Sequence, residues 1–184
     1  MSQDINLATC TEEELWRHVA TRLEADGIPV VLVGGAVVAI YSRGAYRSGD
    51  LDFVPEGLFM GPVEESMAQL GFRRRGGHFE HPDCHHLFVE FVRPPLGIGN
   101  DLDIRPRVEA CDGRELKILS PTDCVRDRLA SFIHFKAREC LDQALLVATA
   151  QEGVNLSRVR SWCVSEGRAG ELAFEEFIRL LEST

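Results

Sequence analysis

The feature that most constrains this chain is a pair of aspartates inside what otherwise reads as a buried strand. Residues 31–54 read VLVGGAVVAIYSRGAYRSGDLDFV. An apolar run meets a Gly34-Gly35 turn, a short helical stretch follows, and Ser48-Gly49 turns the chain into Asp50, Leu51, Asp52, Phe53 and Val54. Side chains alternate faces along a strand, so Asp50 and Asp52 share one face and Leu51 and Phe53 the other. A carboxylate resists leaving water without a partner, and two close together raise each other's pKa. A fold that tolerates the pair must bring positive charge to that face. Two carboxylates so arranged suit a hard divalent cation such as Mg²⁺, which takes one or two protein carboxylates together with substrate phosphates. The glycine turn lets a phosphate approach the backbone, and the helix it opens presents free N–H groups. Together these parts predict a site for a metal-bound nucleoside triphosphate.

The surrounding elements follow from periodicity and punctuation. Residues 11–25 predict a helix opened by a Thr11–Glu14 capping box, with Leu15, Val19 and Leu23 on its apolar face. Residues 28–33 predict a strand buried on both faces, 36–41 a short helix and 50–54 the aspartate strand. Residues 62–70 predict a helix, 72–79 an arginine-rich hairpin, and 87–92 a strand that Pro94-Pro95 terminates. Asp112-Gly113 is a hairpin turn between residues 108–110 and 116–119. From Ser120-Pro121, an N-cap followed by proline at the first helical position, the pattern is helical, with segments at 121–135, 138–151, 156–166 and 171–181. The expectation is an α+β chain: residues 1–119 form an α/β core and residues 120–184 a helical region packed on it.

A chain of 184 residues can bury a substantial core without covalent staples. The six cysteines are scattered, with no C-x-x-C pair, which predicts free thiols in a reducing compartment. The opening MSQDINLATCTEEELW lacks the basic and apolar regions of a secretion signal, and no apolar run approaches membrane-spanning length. A cytoplasmic protein without a membrane partner is expected. A net charge of -9 argues against a broad non-specific nucleic-acid surface, though not against a local basic groove.

The stretch from Gly34 to Asp52, GGAVVAIYSRGAYRSGDLD, resembles the nucleotidyltransferase superfamily with the DNA polymerase β-like fold. In that superfamily a G-G or G-S turn is followed by D-h-D or D-h-E on a strand. The sequence is most similar to minimal bacterial branches that include the AbiEii-type toxins. ILSPTDCVRDRL and ARECLDQALLVA, further along, are similar to the helical tails of those branches. The resemblance implies a mixed sheet flanked by helices, followed by a C-terminal helical bundle. It implies transfer of a nucleoside monophosphate from a triphosphate, ATP among the candidates, to an acceptor hydroxyl on RNA, protein or a small molecule. It also implies Mg²⁺ or Mn²⁺ and admits a toxin–antitoxin setting with an antitoxin partner.

By the same resemblance Asp50, Asp52 and a third acid serve as catalytic metal ligands. Glu90, in HLFVEFV, is the preferred third acid, ahead of Asp101 and Asp103 in GNDLDIRP. Gly34 and Gly35 face the nucleotide, with Ser48 standing in for the serine the superfamily often carries in its turn. Arg47, and beside it Arg43, are phosphate candidates. The alternative is a non-catalytic nucleotide-binding or regulatory module on the same fold.

Other motifs have plainer readings. HFEHPDCHH, residues 78–86, is rich in metal-binding residue types, but one segment supplies all of them and no second ligand pair follows in sequence. It reads as a polar hairpin with exposed histidines. Arg73, Arg74 and Arg75 read as a charged sheet edge. Arg126, Asp127 and Arg128 read mainly as the polar face of an amphipathic helix, with one or two able to close over a nucleotide.

Overall fold

A computed structural model describes residues 5–57 and 62–183 of the chain. Helix α1 (Glu12–Ala25) opens on the expected capping box: the Thr11 side chain accepts from the Glu14 N–H while the Glu14 carboxylate accepts from the Thr11 N–H. Strand β1 (Val30–Val33) leads through Gly34 into α2 (Gly35–Tyr41), and β2 (Asp50–Pro55) follows. Next come α3 (Val63–Gln69), the hairpin β3 (Arg73–Arg75) and β4 (His78–His81), and β5 (Cys84–Phe91). The hairpin β6 (Arg107–Cys111) and β7 (Arg114–Ile118) turns on Asp112 and Gly113, both at positive φ, as a two-residue turn matched to strand twist requires. The chain ends in α4 (Pro121–Phe135), α5 (Arg138–Ala150), α6 (Leu156–Ser165) and α7 (Arg168–Leu181).

The strands form one mixed sheet in the order β3-β4-β5-β2-β1-β7-β6. β2 runs antiparallel to β1 and parallel to β5, and β1 runs parallel to β7. β2 therefore lies inside the sheet. Leu51 and Phe53 are fully buried on one face of it, while Asp50 and Asp52 are half-buried on the other.

α1 packs on β1, β7, α2 and α3, and α5 and α4 pack on α2. A single cluster of buried side chains runs from Leu15 and Trp16 in α1 through Phe53 in β2 to Trp162 and Phe177 in the last helices. α7 starts three residues earlier than its periodicity suggests. Gly167 at φ +77 turns the chain, and Gly170 sits so close to the Cys163 carbonyl that any side chain would collide with it.

Arg126 corrects an expectation. It does not lie on a polar helix face but is 1% exposed, paired with Asp123 Oδ1 at 2.7 Å and with Asp101. Its guanidinium stacks over the Trp162 ring, 5.5 Å from the centroid, and the Trp162 indole N–H donates to the Ile98 carbonyl at 3.2 Å. This buried network fastens the loop that follows Pro94-Pro95 to α4 and α6.

Candidate active site

The site grows from the end of β1. Gly34 adopts φ +75 and ψ -152, a conformation open in practice only to glycine. A Cβ there would also run into Asp52 Oδ2, so the turn and the aspartate interlock. A Cβ on Gly35 would lie 2.8 Å from Ser48 Oγ. Close approach thus explains both glycines, and backbone shape explains Gly34 as well.

β2 presents Asp50 and Asp52 on the face that meets this turn. The Ser48 hydroxyl donates to Asp50 Oδ1 at 2.9 Å and so orients that carboxylate. The Ser48 backbone N–H donates to Glu12 Oε1 at 2.8 Å, and Arg47 Nε lies 3.1 Å from the same oxygen. Glu12 is almost completely buried and anchors the segment that leads into β2. Its position in the first turn of a helix reads in sequence only as a favourable dipole contact, so nothing local announces this long-range role. Arg47 therefore pairs with Glu12, while its side chain stays 56% exposed. Arg43 is exposed at the end of α2, at φ +54.

The third acid comes from β5. The parallel register sets Asp50 opposite Phe88 and Asp52 opposite Glu90, which places Glu90 on the aspartate face. Asp101 is instead engaged by Arg126, and Asp103 is exposed, 3.6 Å from Arg105. Register continues the row across the sheet. His78 on β4 faces Glu90, and Arg75 on β3 faces His78. His78 also packs against the Phe88 ring at 4.7 Å and meets Glu80 at 2.7 Å, so it is not the freely exposed histidine its loop suggested. β3 lies at the sheet edge with all three arginines exposed, as a charged edge should.

α4 closes the site with two residues the motifs alone could not place. Arg128, 14% exposed, binds Asp127 Oδ2 through Nε at 3.1 Å and Nη2 at 2.6 Å, and reaches Gln143 Oε1 at 3.2 Å. Burial works against its charge, but Asp127 beside it, together with the smaller influences of Cys124 and Cys140, more than offsets burial and keeps the guanidinium protonated. Burial pushes the Asp52 carboxyl up to about 7, and the neighbouring charges of Asp50 and Glu90 push the same way, while Arg128 opposes them. That face thus carries three carboxylates in neighbouring register positions, with an arginine already shared with Asp127 and Gln143. All three offer hard oxygen donors, the chemistry a divalent cation such as Mg²⁺ takes. Beside that face lies a small pocket of about 130 Å³, lined among others by Val33, Val54, Leu96, Ile98 and Asp127.

No protein-family model matches the chain, and no curated protein matches it in sequence. Solved structures do match in shape. An antigenic nucleotidyltransferase-like protein from Paracoccidioides brasiliensis superposes with a TM-score of 0.63 at 15% identity, over 100% of this chain and 91% of that one. ANT(2")-Ia, crystallised in complex with adenylyl-2"-tobramycin, superposes with a TM-score of 0.52 at 14% identity, over 90% of this chain and 95% of that one. The fold is therefore nucleotidyltransferase-like: a mixed sheet with flanking helices and a helical C-terminal region.

Proposed function

We propose that this protein transfers a nucleoside monophosphate from a nucleoside triphosphate to an acceptor hydroxyl. The observation that carries the reading is the register of Asp52 with Glu90, beside Asp50 and against the Gly34 turn. The likeness of the fold to nucleotidyltransferase-like structures supports it.

In this reading residues 1–119 hold the nucleotide, and α4, from residues 120–184, closes over it. Asp50, Asp52 and Glu90 hold Mg²⁺ or Mn²⁺; the bound cation supplies charge neutralisation for the triphosphate and lowers the pKa of an attacking hydroxyl. Ser48 fixes the Asp50 rotamer. Gly34 and Gly35 leave room for phosphate oxygens at the start of α2. Glu90 accepts the acceptor's proton in this reading; its register position in the row that runs outward to His78 and Arg75 supports that role. Arg128 restrains the rise in the Asp52 pKa, so that Asp52 can ionise near neutral pH.

A small hydroxylated molecule suits the acidic surface best as acceptor, and a cationic one better still, given the net charge of -9. The adenylylated tobramycin bound to the similarly folded ANT(2")-Ia makes such a compound a reasonable first acceptor, with ATP the first donor. The sequence likeness to AbiEii-type proteins supports a toxin–antitoxin setting in the cytoplasm with an antitoxin partner. Among the described residues no helix is long and apolar enough to cross a membrane.

The test is thermal unfolding with each of the four nucleoside triphosphates and Mg²⁺ or Mn²⁺, followed by an acceptor screen that monitors pyrophosphate release. A ligand that binds only the folded state at a hundredfold excess over Kd stabilises it by about 2.7 kcal/mol. The expected result is a metal-dependent shift for at least one triphosphate, lost in Asp50→Asn/Asp52→Asn, with pyrophosphate released once the acceptor is present. A shift without release across the acceptor screen favours the non-catalytic nucleotide-binding module; no shift with any triphosphate removes the nucleotide site itself.

A further inference from the structure

A second cluster of ligand-type side chains lies away from the carboxylates, and neither the fold likeness nor the nucleotidyl reading accounts for it. Cys10 precedes the Thr11 N-cap of α1, and Cys84 and His86 lie at the start of β5. The two sulfurs and a ring nitrogen all fall within 4.8 Å of one another. Both cysteines are buried, whereas His86 is exposed. In sequence the histidine-rich stretch lacks a second ligand segment; the fold supplies one, 74 residues earlier, in Cys10.

We propose that Cys10, Cys84 and His86 form a binding site for a thiophilic divalent cation of the Zn²⁺ class, with its fourth position open to solvent. Three observations converge. Sulfur and imidazole ligands select such a cation over Mg²⁺ or Ca²⁺. A tetrahedral zinc, with bonds of about 2.3 Å to sulfur and 2.0–2.1 Å to nitrogen, separates its ligand atoms by roughly 3.5–3.8 Å. Cys84 Sγ and His86 Nδ1 are 3.9 Å apart, and no two of the three ligand atoms are more than 4.8 Å apart, so closing on an ion needs about 1 Å of movement or less.

The third observation is the orientation of the ring. His86 Nε2 lies 2.8 Å from the Cys10 carbonyl, an acceptor, so Nε2 carries the proton and Nδ1 presents its lone pair toward Cys84. A ligating histidine is oriented in just this way, by donating its other N–H to a carbonyl. The partner carbonyl here belongs to a second ligand residue. Each thiol lies 3.6 Å from a backbone carbonyl, Cys10 from that of Leu7 and Cys84 from that of Leu87, which holds the sulfurs in place. Binding replaces two S–H bonds by two sulfur–metal bonds and releases two protons, with no change of oxidation state. The cation then ties the start of α1, whose Glu12 holds Ser48, to β5, whose Glu90 faces Asp52.

The test uses the full chain, reduced, stripped with chelator and kept in excess Mg²⁺ so that the oxygen site is occupied by its own cation. It is titrated with Zn²⁺ and separately with Co²⁺. One equivalent of zinc should survive gel filtration, and Co²⁺ should give thiolate-to-metal absorption. Both should vanish in Cys10→Ser and Cys84→Ser. His86→Gln, at an exposed position that leaves the core intact, should weaken zinc binding about tenfold or more, while His85→Gln should leave it unchanged. The assignment is overturned by zinc retained at one equivalent in Cys10→Ser/Cys84→Ser, by a Co²⁺ spectrum without thiolate absorption, or by wild-type affinity in His86→Gln. Reduced protein that closes a Cys10–Cys84 disulfide on standing in air, and retains no zinc before it does so, overturns it as well.

Discussion

Asp52 on β2 and Glu90 on β5 stand directly opposite each other in a parallel pair, on the face that also carries Asp50. Two separate strands thus deliver three carboxylates to one face of the sheet, and burial with repulsion from Asp50 and Glu90 pushes Asp52 up to about 7. Such an arrangement is a local instability in the bare protein, and the proposed cation would relieve it.

The first consequence is a pH-dependent mutational effect. A carboxyl whose folded pKa lies above its unfolded value binds protons preferentially in the folded state. Its effect on stability is therefore harmless below about pH 4 and grows unfavourable as the pH rises toward about 7. Asp52→Asn removes that term. Urea unfolding without divalent metal should show Asp52→Asn about 1–3 kcal/mol more stable than wild type at pH 8 and indistinguishable from it near pH 4. Adding Mg²⁺ should stabilise wild type and leave the variant where it was.

Arg128 opposes the rise in the Asp52 pKa. Removing its charge should let that pKa climb further. In Arg128→Met, the pH at which Mg²⁺ half-maximally raises Tm should move up by about one unit, as expected for loss of one partly buried opposite charge. An unchanged midpoint would show that Arg128 serves Asp127 and Gln143 alone.

Gly34 should tolerate no side chain. Gly34→Ala combines a left-handed backbone with a collision against Asp52. A destabilisation of about 1–3 kcal/mol in chemical denaturation is expected, together with loss of the metal-dependent thermal shift. Gly113→Ala, also at positive φ but with open space around it, should show the backbone strain without loss of the shift.

Glu90→Gln keeps size and removes charge. If Glu90 takes the acceptor's proton, turnover should fall by roughly a hundredfold or more while the triphosphate still raises Tm. Asp103→Asn, an exposed change, should leave turnover as it was.

Arg126 gives a purely structural prediction. Arg126→Met leaves Asp123, fully buried, with Arg158 at 3.4 Å as its remaining ion-pair partner among the described residues. Breaking a buried pair from one side costs about 3–5 kcal/mol, so the variant should unfold at clearly lower urea concentration. Asp103→Asn again serves as the exposed control.

Much of this protein was determined locally. The alternation of Asp50 and Asp52 with Leu51 and Phe53 set the two faces of β2, because a strand has period two. The Thr11–Glu14 box, the Asp112-Gly113 turn and the Ser120-Pro121 start all acted through bonds a few residues long, so short windows reveal them. Only the tertiary structure decided which distant groups meet those features. Glu90 rather than Asp101 faces Asp52 because β5 joins β2 in one particular register, while Asp101 is drawn away by Arg126. Arg128 acts on Asp52 through its charge because α4 packs back on the core, and its spacing alone reads as an ordinary polar helix face. Cys10 meets Cys84 and His86 because the entrance to α1 packs against the start of β5. Periodicity reports which face a residue takes, but the residue across from it is set by burial and hydrogen bonding summed over the whole chain.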